Sequence, residues 1–330
     1  MKVLVLSSKE RYERFAPDTP AYRNAQMVFC SREGTEEEWL AAGADAEALF
    51  VTPVTPITEA LVSRMPNLKM IHCEGVGYDR IDLQAAAKRG IYVCNNAGCN
   101  AEAVAELSVM MMSMLLHHTI RGDRLVRQGR QAEAVRELEV APAMDLRIAK
   151  VGLIGFGAIA QATAKLLNAF GSEVYYYARN RRSEAEETAC GGATYLPLEE
   201  LAATCDIISL HLPATAESYH IIDKAFFERM KPGAWLVNTA RGAVIDDEAL
   251  CEAIRSGRLA GAALDAYEPE PVFADHPLVK LAEEYPDRLV LCPHQGGLTQ
   301  GSFLNVYQML FENLGRVMAG EKPLRIVNGL

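Results

Sequence analysis

The 330-residue chain lacks three things: a C-x-x-C pair, a long apolar run and an excess of positive charge. Its eight cysteines (Cys30, Cys73, Cys94, Cys99, Cys190, Cys205, Cys251 and Cys292) are scattered, which fits neither a zinc site nor a small disulfide scaffold. Several fall in apolar strand patterns such as VCNN and LCPH, where a free thiol packs as a small hydrophobe. No metal is expected, and a reduced, cytoplasmic setting is. No stretch approaches the ~18 apolar residues of a membrane span, so no membrane partner is expected. The most apolar helical pattern, Val109 to Leu116, is interrupted by Ser113 and ends in His117-His118. The opening MKVLVLSSKE is too short an apolar run for a signal peptide and reads as a first strand. Lysine plus arginine number 33 against 43 aspartate plus glutamate, a formal charge of −10. Nothing in that balance draws the chain to a phosphate backbone, so nucleic acid is not an expected partner.

What the chain has is alternation. Half of it is apolar and 23% is charged, an ordinary globular balance. KVLVLS, ALFVT, LKMIH and IYVC are short runs rich in β-branched residues, with helical patterns such as TEEEWLAAG and DLQAAAKRG between them. In the last, Asp82 is placed to cap the first turn, and Gly90 to terminate in the left-handed region. Ala103 to His118 reads as one long helix whose methionines (Met110, Met111, Met112, Met114) suit a core or a subunit interface. Arg121 to Asp145 is charged and irregularly periodic, a covering segment. From Ala149 the pattern restarts: AKVGLIG, SEVYYYA, CDIISLHL, GAWLVNT, AGAALDAY and RLVLCP read as strands, and Ser302 to Met318 as a final helix. Alternating buried-looking strands and helices predict α/β architecture with doubly wound parallel sheets. Two units are visible, one before about residue 101 and one from there to about 298, with the chain end packing back on the first.

The strongest local signal is VGLIGFGAIAQATAKLL. A strand meets Gly155-Phe156-Gly157-Ala158-Ile159-Ala160 and a helix follows at once, the spacing of a dinucleotide-binding turn. Gly155 permits the tight turn, Gly157 lets backbone approach a pyrophosphate, and the helix start at Ala158 and Ile159 offers free N–H groups and the positive end of the dipole. The next strand should end in Asp or Glu if it is to hold the ribose hydroxyls of NAD. It ends in Ala178, followed by Arg179, Asn180, Arg181 and Arg182. Without a carboxylate to repel it and with several guanidiniums to grip it, a 2′-phosphate is favoured there: NADP over NAD. In such a sheet, function gathers beyond the carboxyl ends of the strands. His211 and Pro213, then Thr239, Ala240 and Arg241, then Asp265 to Glu270, then His294 stand at successive strand ends. A histidine, an arginine and a carboxylate are the parts needed to reduce a carbonyl beside a carboxylate.

Over roughly residues 45 to 315 the chain resembles the D-isomer-specific 2-hydroxyacid dehydrogenase family, through GVGYDRIDLQAAAKRGIYVCN, NAEAVAEL, IGFGAIA, CDIISLHLPAT, MKPGAWLVNTARGAVIDDEAL, GRLAGAALDAYEPEP and PHQGG in family order. The resemblance implies that Arg241 polarises the substrate carbonyl and pairs with its carboxylate, that His294 is the general acid/base, and that Glu270 bonds its imidazole. It implies that the backbone N–H groups of Val76 and Gly77 hold the substrate carboxylate, that Asp265 lies near the nicotinamide carboxamide, and that His211 and Pro213 line the cofactor, although a structural role for His211 is the stronger reading. It further implies a Rossmann cofactor domain (102–298) inserted into a flavodoxin-like substrate domain (1–101 plus 299–330), and a homodimer built on the helix from Ala103. Ala97 stands where proline is common, and Gln295 where Ile or Leu is usual. No Arg or Lys lies between Leu40 and Ser63, which favours small unphosphorylated 2-keto acids such as glyoxylate, hydroxypyruvate or pyruvate. Glu270 disfavours formate dehydrogenase, which lacks it. The alternative from another class is a nucleotide-sensing binding protein, since the family includes corepressors.

Overall fold

A computed structural model describes residues 1–330, which divide into two compact units: Met1–Asn100 with Leu298–Leu330, and Ala101–Gly297. The first holds a five-stranded parallel sheet of β1 (Lys2–Leu6), β2 (Gln26–Cys30), β3 (Ala48–Val51), β4 (Met70–Cys73) and β5 (Tyr92–Cys94), in the order β2-β1-β3-β4-β5. This is the doubly wound order of flavodoxin-like folds. Both faces are covered, and strand alternation sorts the side chains between them. Leu4, Leu6, Leu49, Val51, Ile71 and Val93 face one way. Val3, Val5, Ala48, Phe50, Met70 and Cys94 face the other, against Tyr307, Leu310, Phe311 and Leu314 of the helix Gln300–Met318.

The second unit carries β6 (Lys150–Ile154), β7 (Glu173–Tyr177), β8 (Thr194–Tyr195), β9 (Ile207–Leu210), β10 (Ala234–Asn238), β11 (Leu259–Leu264) and β12 (Leu289–Leu291). Their order, β12-β11-β10-β9-β6-β7-β8, is the Rossmann 3-2-1-4-5-6 arrangement with one strand added at the far edge. The switch point lies between β6 and β9, the neighbours from which the chain winds in opposite directions. One face packs on the helix Ala101–Leu116, in which Met111 and Met112 are fully buried while Met110 remains 46% exposed. No single helix is long and apolar enough to cross a membrane, and all eight cysteines are free thiols.

Local chemistry agrees with most of the expected elements. Asp82 caps its helix by accepting from the Ala85 N–H, and Gly90 sits at φ 69°. Four features differ. QMVFC is strand β2 and Thr194–Tyr195 is strand β8, edge strands too short and too exposed to stand out by pattern. Arg121 to Asp145 contains two helices, Thr119–Arg127 and Gln131–Val140. The strand read through AGAALDAY stops at Leu264, and the Asp265 side chain accepts from the loop after β12.

Candidate active site

The dinucleotide turn follows β6. Gly155 has φ 91°, and a Cβ there would lie 2.5 Å from the His211 carbonyl oxygen, so the two chains at the switch point touch only because the residue is glycine. Gly157 is different: it is exposed and a Cβ would meet nothing. It precedes the helix Ala158–Phe170 with no side chain capping the helix start. Open space in front of free N–H groups is what a pyrophosphate requires, and Ala160 is fully buried against the sheet as the close-packing position. At the neighbouring strand end, His211 donates or accepts through Nε2 to Ser209 Oγ at 2.9 Å, while its Nδ1 is buried without a partner. Burial pulls its pKa down to about 3, so the ring is neutral. An orphaned polar atom beside an uncapped helix start fits a ligand at this edge. Pro213 is exposed, and its carbonyl accepts from Ser218 Oγ.

Past β7, Ala178 is half-buried and Arg179 and Asn180 are exposed. The arginines are not equivalent. Arg181 pairs with Glu187 through Nε and Nη2, at 2.9 and 3.1 Å. Arg182 has a buried Nε with no partner, and Arg179 forms no ion pair. Past β10, Ala240 N–H donates to Asn238 Oδ1, and the Thr239 hydroxyl is shared with Ser108 Oγ at 2.8 Å, turned into the core. Arg241 is exposed; its Nη1 donates only to the Ala240 carbonyl, leaving most of the guanidinium fork free. The next residue, Gly242, has no room for a side chain, because a Cβ would fall 1.9 Å from the Tyr267 carbonyl carbon.

His294 and Glu270 meet. Nδ1 of the imidazole lies 2.8 Å from Glu270 Oε2, and the second oxygen, Oε1, accepts from the Tyr267 N–H at 2.9 Å. The two side chains stay 47% and 34% exposed, so Nε2 is open to a reactant. His294 occupies the left-handed region at φ 56°, a conformation that costs a non-glycine residue about 1–3 kcal/mol and persists only where its surroundings enforce it. Asp265 is part of that enforcement. Its two oxygens accept the N–H groups of Gln295 and Gly296, each at 2.8 Å. Burial raises its pKa and these two bonds oppose the rise. The resemblance places Asp265 near the nicotinamide carboxamide; no local sequence pattern signals its grip on Gln295 and Gly296.

In the first unit, Val76 and Gly77 follow β4. The carbonyls of residues 75, 76 and 77 are all taken: by the Asn96 N–H at 2.9 Å, by Asn95 Nδ2 at 2.7 Å and by the Cys73 thiol at 2.9 Å. With three successive carbonyls tethered, the N–H groups of Val76 and Gly77 are left without a partner in the chain, a backbone concavity suited to an anion. Just ahead, the buried Glu74 accepts from Tyr12 OH, Ser7 Oγ and Arg11 Nη2 at 2.7, 3.0 and 2.5 Å. Nothing in the sequence pattern announces this network.

Residues 109–296 match the model of the D-isomer specific 2-hydroxyacid dehydrogenase NAD binding domain. The chain belongs to that family. The D-isomer specific 2-hydroxyacid dehydrogenases are oxidoreductases, and the matched region is their nicotinamide-binding domain. The chain is 38% identical over 288 residues to a glyoxylate reductase of Thermococcus litoralis, covering 86% of this chain and 84% of that one. A glyoxylate reductase of Thermofilum pendens is 36% identical over 294 residues, with coverage of 89% and 85%. Among solved structures, the D-mandelate dehydrogenase of Rhodotorula graminis has a TM-score of 0.84 at 26% identity, covering 99% of this chain and 97% of that one.

Proposed function

We propose that the protein reduces a small, unphosphorylated 2-keto acid of the glyoxylate, hydroxypyruvate or pyruvate kind to the D-2-hydroxy acid, using NADPH in preference to NADH. The observation that carries this reading is the 2.8 Å contact between His294 Nδ1 and Glu270 Oε2 in the unit that also holds the dinucleotide turn and the free guanidinium of Arg241. The nicotinamide, when bound, supplies the hydride. The chain supplies the rest. Glu270 accepts from Nδ1, which fixes the ring's orientation and leaves Nε2 to give a proton to the carbonyl oxygen. Arg241 polarises that oxygen and pairs with the carboxylate, a fork-to-carboxylate match that lysine would not reproduce. The unpaired N–H groups of Val76 and Gly77 would hold the substrate carboxylate, the role that the resemblance gives them. Gly155, Gly157, Ala158 and Ile159 would hold the pyrophosphate, with Thr239, Ala240, Asp265, His211 and Pro213 along the cofactor.

Preference for the 2′-phosphate is supported by the missing carboxylate after β7 and by Arg179 and Arg182, neither of which has an ion-pair partner. A homodimer is proposed on the outer helices of the second unit. There Val126, Val135 and Val140 are 55%, 48% and 86% exposed, beside a concavity of about 250 Å³ lined by His118, Leu125, Ala134 and Leu138. A second copy of this chain would cover that apolar surface, and light scattering at micromolar concentration reads the mass. The test of the activity crosses NADH and NADPH with 2-keto acids of different size and charge. Turnover of the small monoanions is expected; no nicotinamide oxidation with any of them would leave the nucleotide-sensor alternative.

A further inference from the structure

We propose that Tyr267 is a positioning residue which fixes His294 and Glu270 relative to one another, through its hydroxyl on the chain of the first and its amide on the carboxylate of the second. This rests on the reading that His294 is the acid/base. The phenol oxygen lies 2.8 Å from the Cys292 carbonyl, two residues ahead of His294, and 3.0 Å from the Leu264 carbonyl at the end of β11. One O–H is thus shared by two carbonyls, with the shorter contact on the histidine's side. The Tyr267 N–H holds Glu270 Oε1, the oxygen that His294 does not use. The ring is 7% exposed and packs edge-on to His276, with centroids 6.3 Å apart. Burial raises the phenol's pKa, so the group remains a donor throughout the working range of the enzyme.

His294 needs such support because its backbone is left-handed. Asp265 holds the chain after it, and the Cys292 N–H on the Leu264 carbonyl holds the chain before it. Tyr267 bonds Glu270 directly through its amide and reaches the histidine's chain through the Cys292 carbonyl, two residues before His294. Its rigid ring sets the distance from the histidine's chain to the residue whose amide anchors the glutamate.

Tyr267→Phe keeps the ring and the amide and deletes only the hydroxyl. The expected result is a three- to tenfold fall in kcat, the size of one lost hydrogen bond expressed at the reacting group, with cofactor Kd and keto-acid KM unchanged. The downfield proton resonance of the His294–Glu270 hydrogen bond is expected to broaden or move. Tyr307→Phe, which removes a buried hydroxyl without a partner in the other unit, is the control and leaves both readouts at wild-type values. A Tyr267→Phe enzyme with kcat within twofold of wild type and an unmoved resonance overturns the proposal, even if it melts earlier. His294→Ala separates the two levels. Retained turnover there defeats the acid/base reading, whereas lost turnover beside a wild-type-like Tyr267→Phe defeats only the positioning role.

Discussion

The two units present different chemistry at the carboxyl edges of their sheets. In the second, the proposed working groups are side chains: an imidazole, a carboxylate and a guanidinium beyond three successive strands. In the first, the proposed groups are backbone N–H groups, bared where Asn95, Asn96 and Cys73 occupy the carbonyls behind them. A side-chain site is lost when one residue is truncated. A backbone site has no residue to delete and is changed only through its supports.

The largest expected effect is therefore in the second unit. His294→Ala should lower kcat by about 10²- to 10⁴-fold, the range for removal of a general acid/base, while NADPH binding measured by fluorescence persists. Retained reduction would make the two edges alike after all. The next effect concerns stability and sharpens the comparison through His72 in the first unit and His211 in the second. Asn313 Oδ1 accepts the Leu324 N–H, so its Nδ2 must face His72 Nε2, which is then a lone pair, and His72 Nδ1 donates to the Cys73 carbonyl. Burial lowers the pKa of His72 to about 4 and that of His211 to about 3. Both rings are neutral when folded, whereas the unfolded chain takes up protons below about pH 6.5. Stability is therefore complete above that pH and falls as pH drops toward 4, by on the order of 3 kcal/mol for His72. A melting temperature that falls equally steeply in His72→Gln and wild type between pH 6.5 and 4 would remove His72 as a source.

The same contrast explains what could be read before the structure. The second unit's candidate site could be proposed early because Gly155, Gly157, Arg241, Glu270 and His294 stand in local motifs whose chemistry is written in residue types. The inner strands of both sheets were legible because two-sided burial makes them continuous apolar runs; the short, exposed edge strands β2 and β8 were not. The supports were not. Tyr267 and Asp265 act through distances across β11 and β12, and the Glu74 network joins residues more than sixty positions apart. The inequality of the arginines was hidden too, since Arg181 is spoken for only because the helix Glu184–Ala189 brings Glu187 under it.

In the first unit the corresponding break is Asn95→Ala. It removes the donor to the Val76 carbonyl and frees that peptide to rotate its N–H away. A neutral hydrogen bond of about 0.5–1.5 kcal/mol corresponds to a rise of roughly three- to tenfold in keto-acid KM. NADPH affinity should not change. Loss of cofactor binding in place of substrate binding would show that the loop is not an anion holder.

The smallest effect tests the Arg179–Arg182 loop of the second unit. Glu187 already satisfies Arg181 with two bonds, and its own pKa is lowered by them. Arg181→Ala should therefore weaken NADPH little, because the guanidinium is not free to serve a 2′-phosphate without giving up its carboxylate. Arg179→Ala, which breaks no ion pair, should raise the Kd of NADPH by about fivefold, as expected for a partly exposed charged contact, and leave NADH unchanged. Calorimetric titration of both cofactors against both variants decides it. If Arg181→Ala costs more than Arg179→Ala, the Glu187 pair opens for the cofactor, and the loop reads the phosphate by exchanging the Glu187 carboxylate for it.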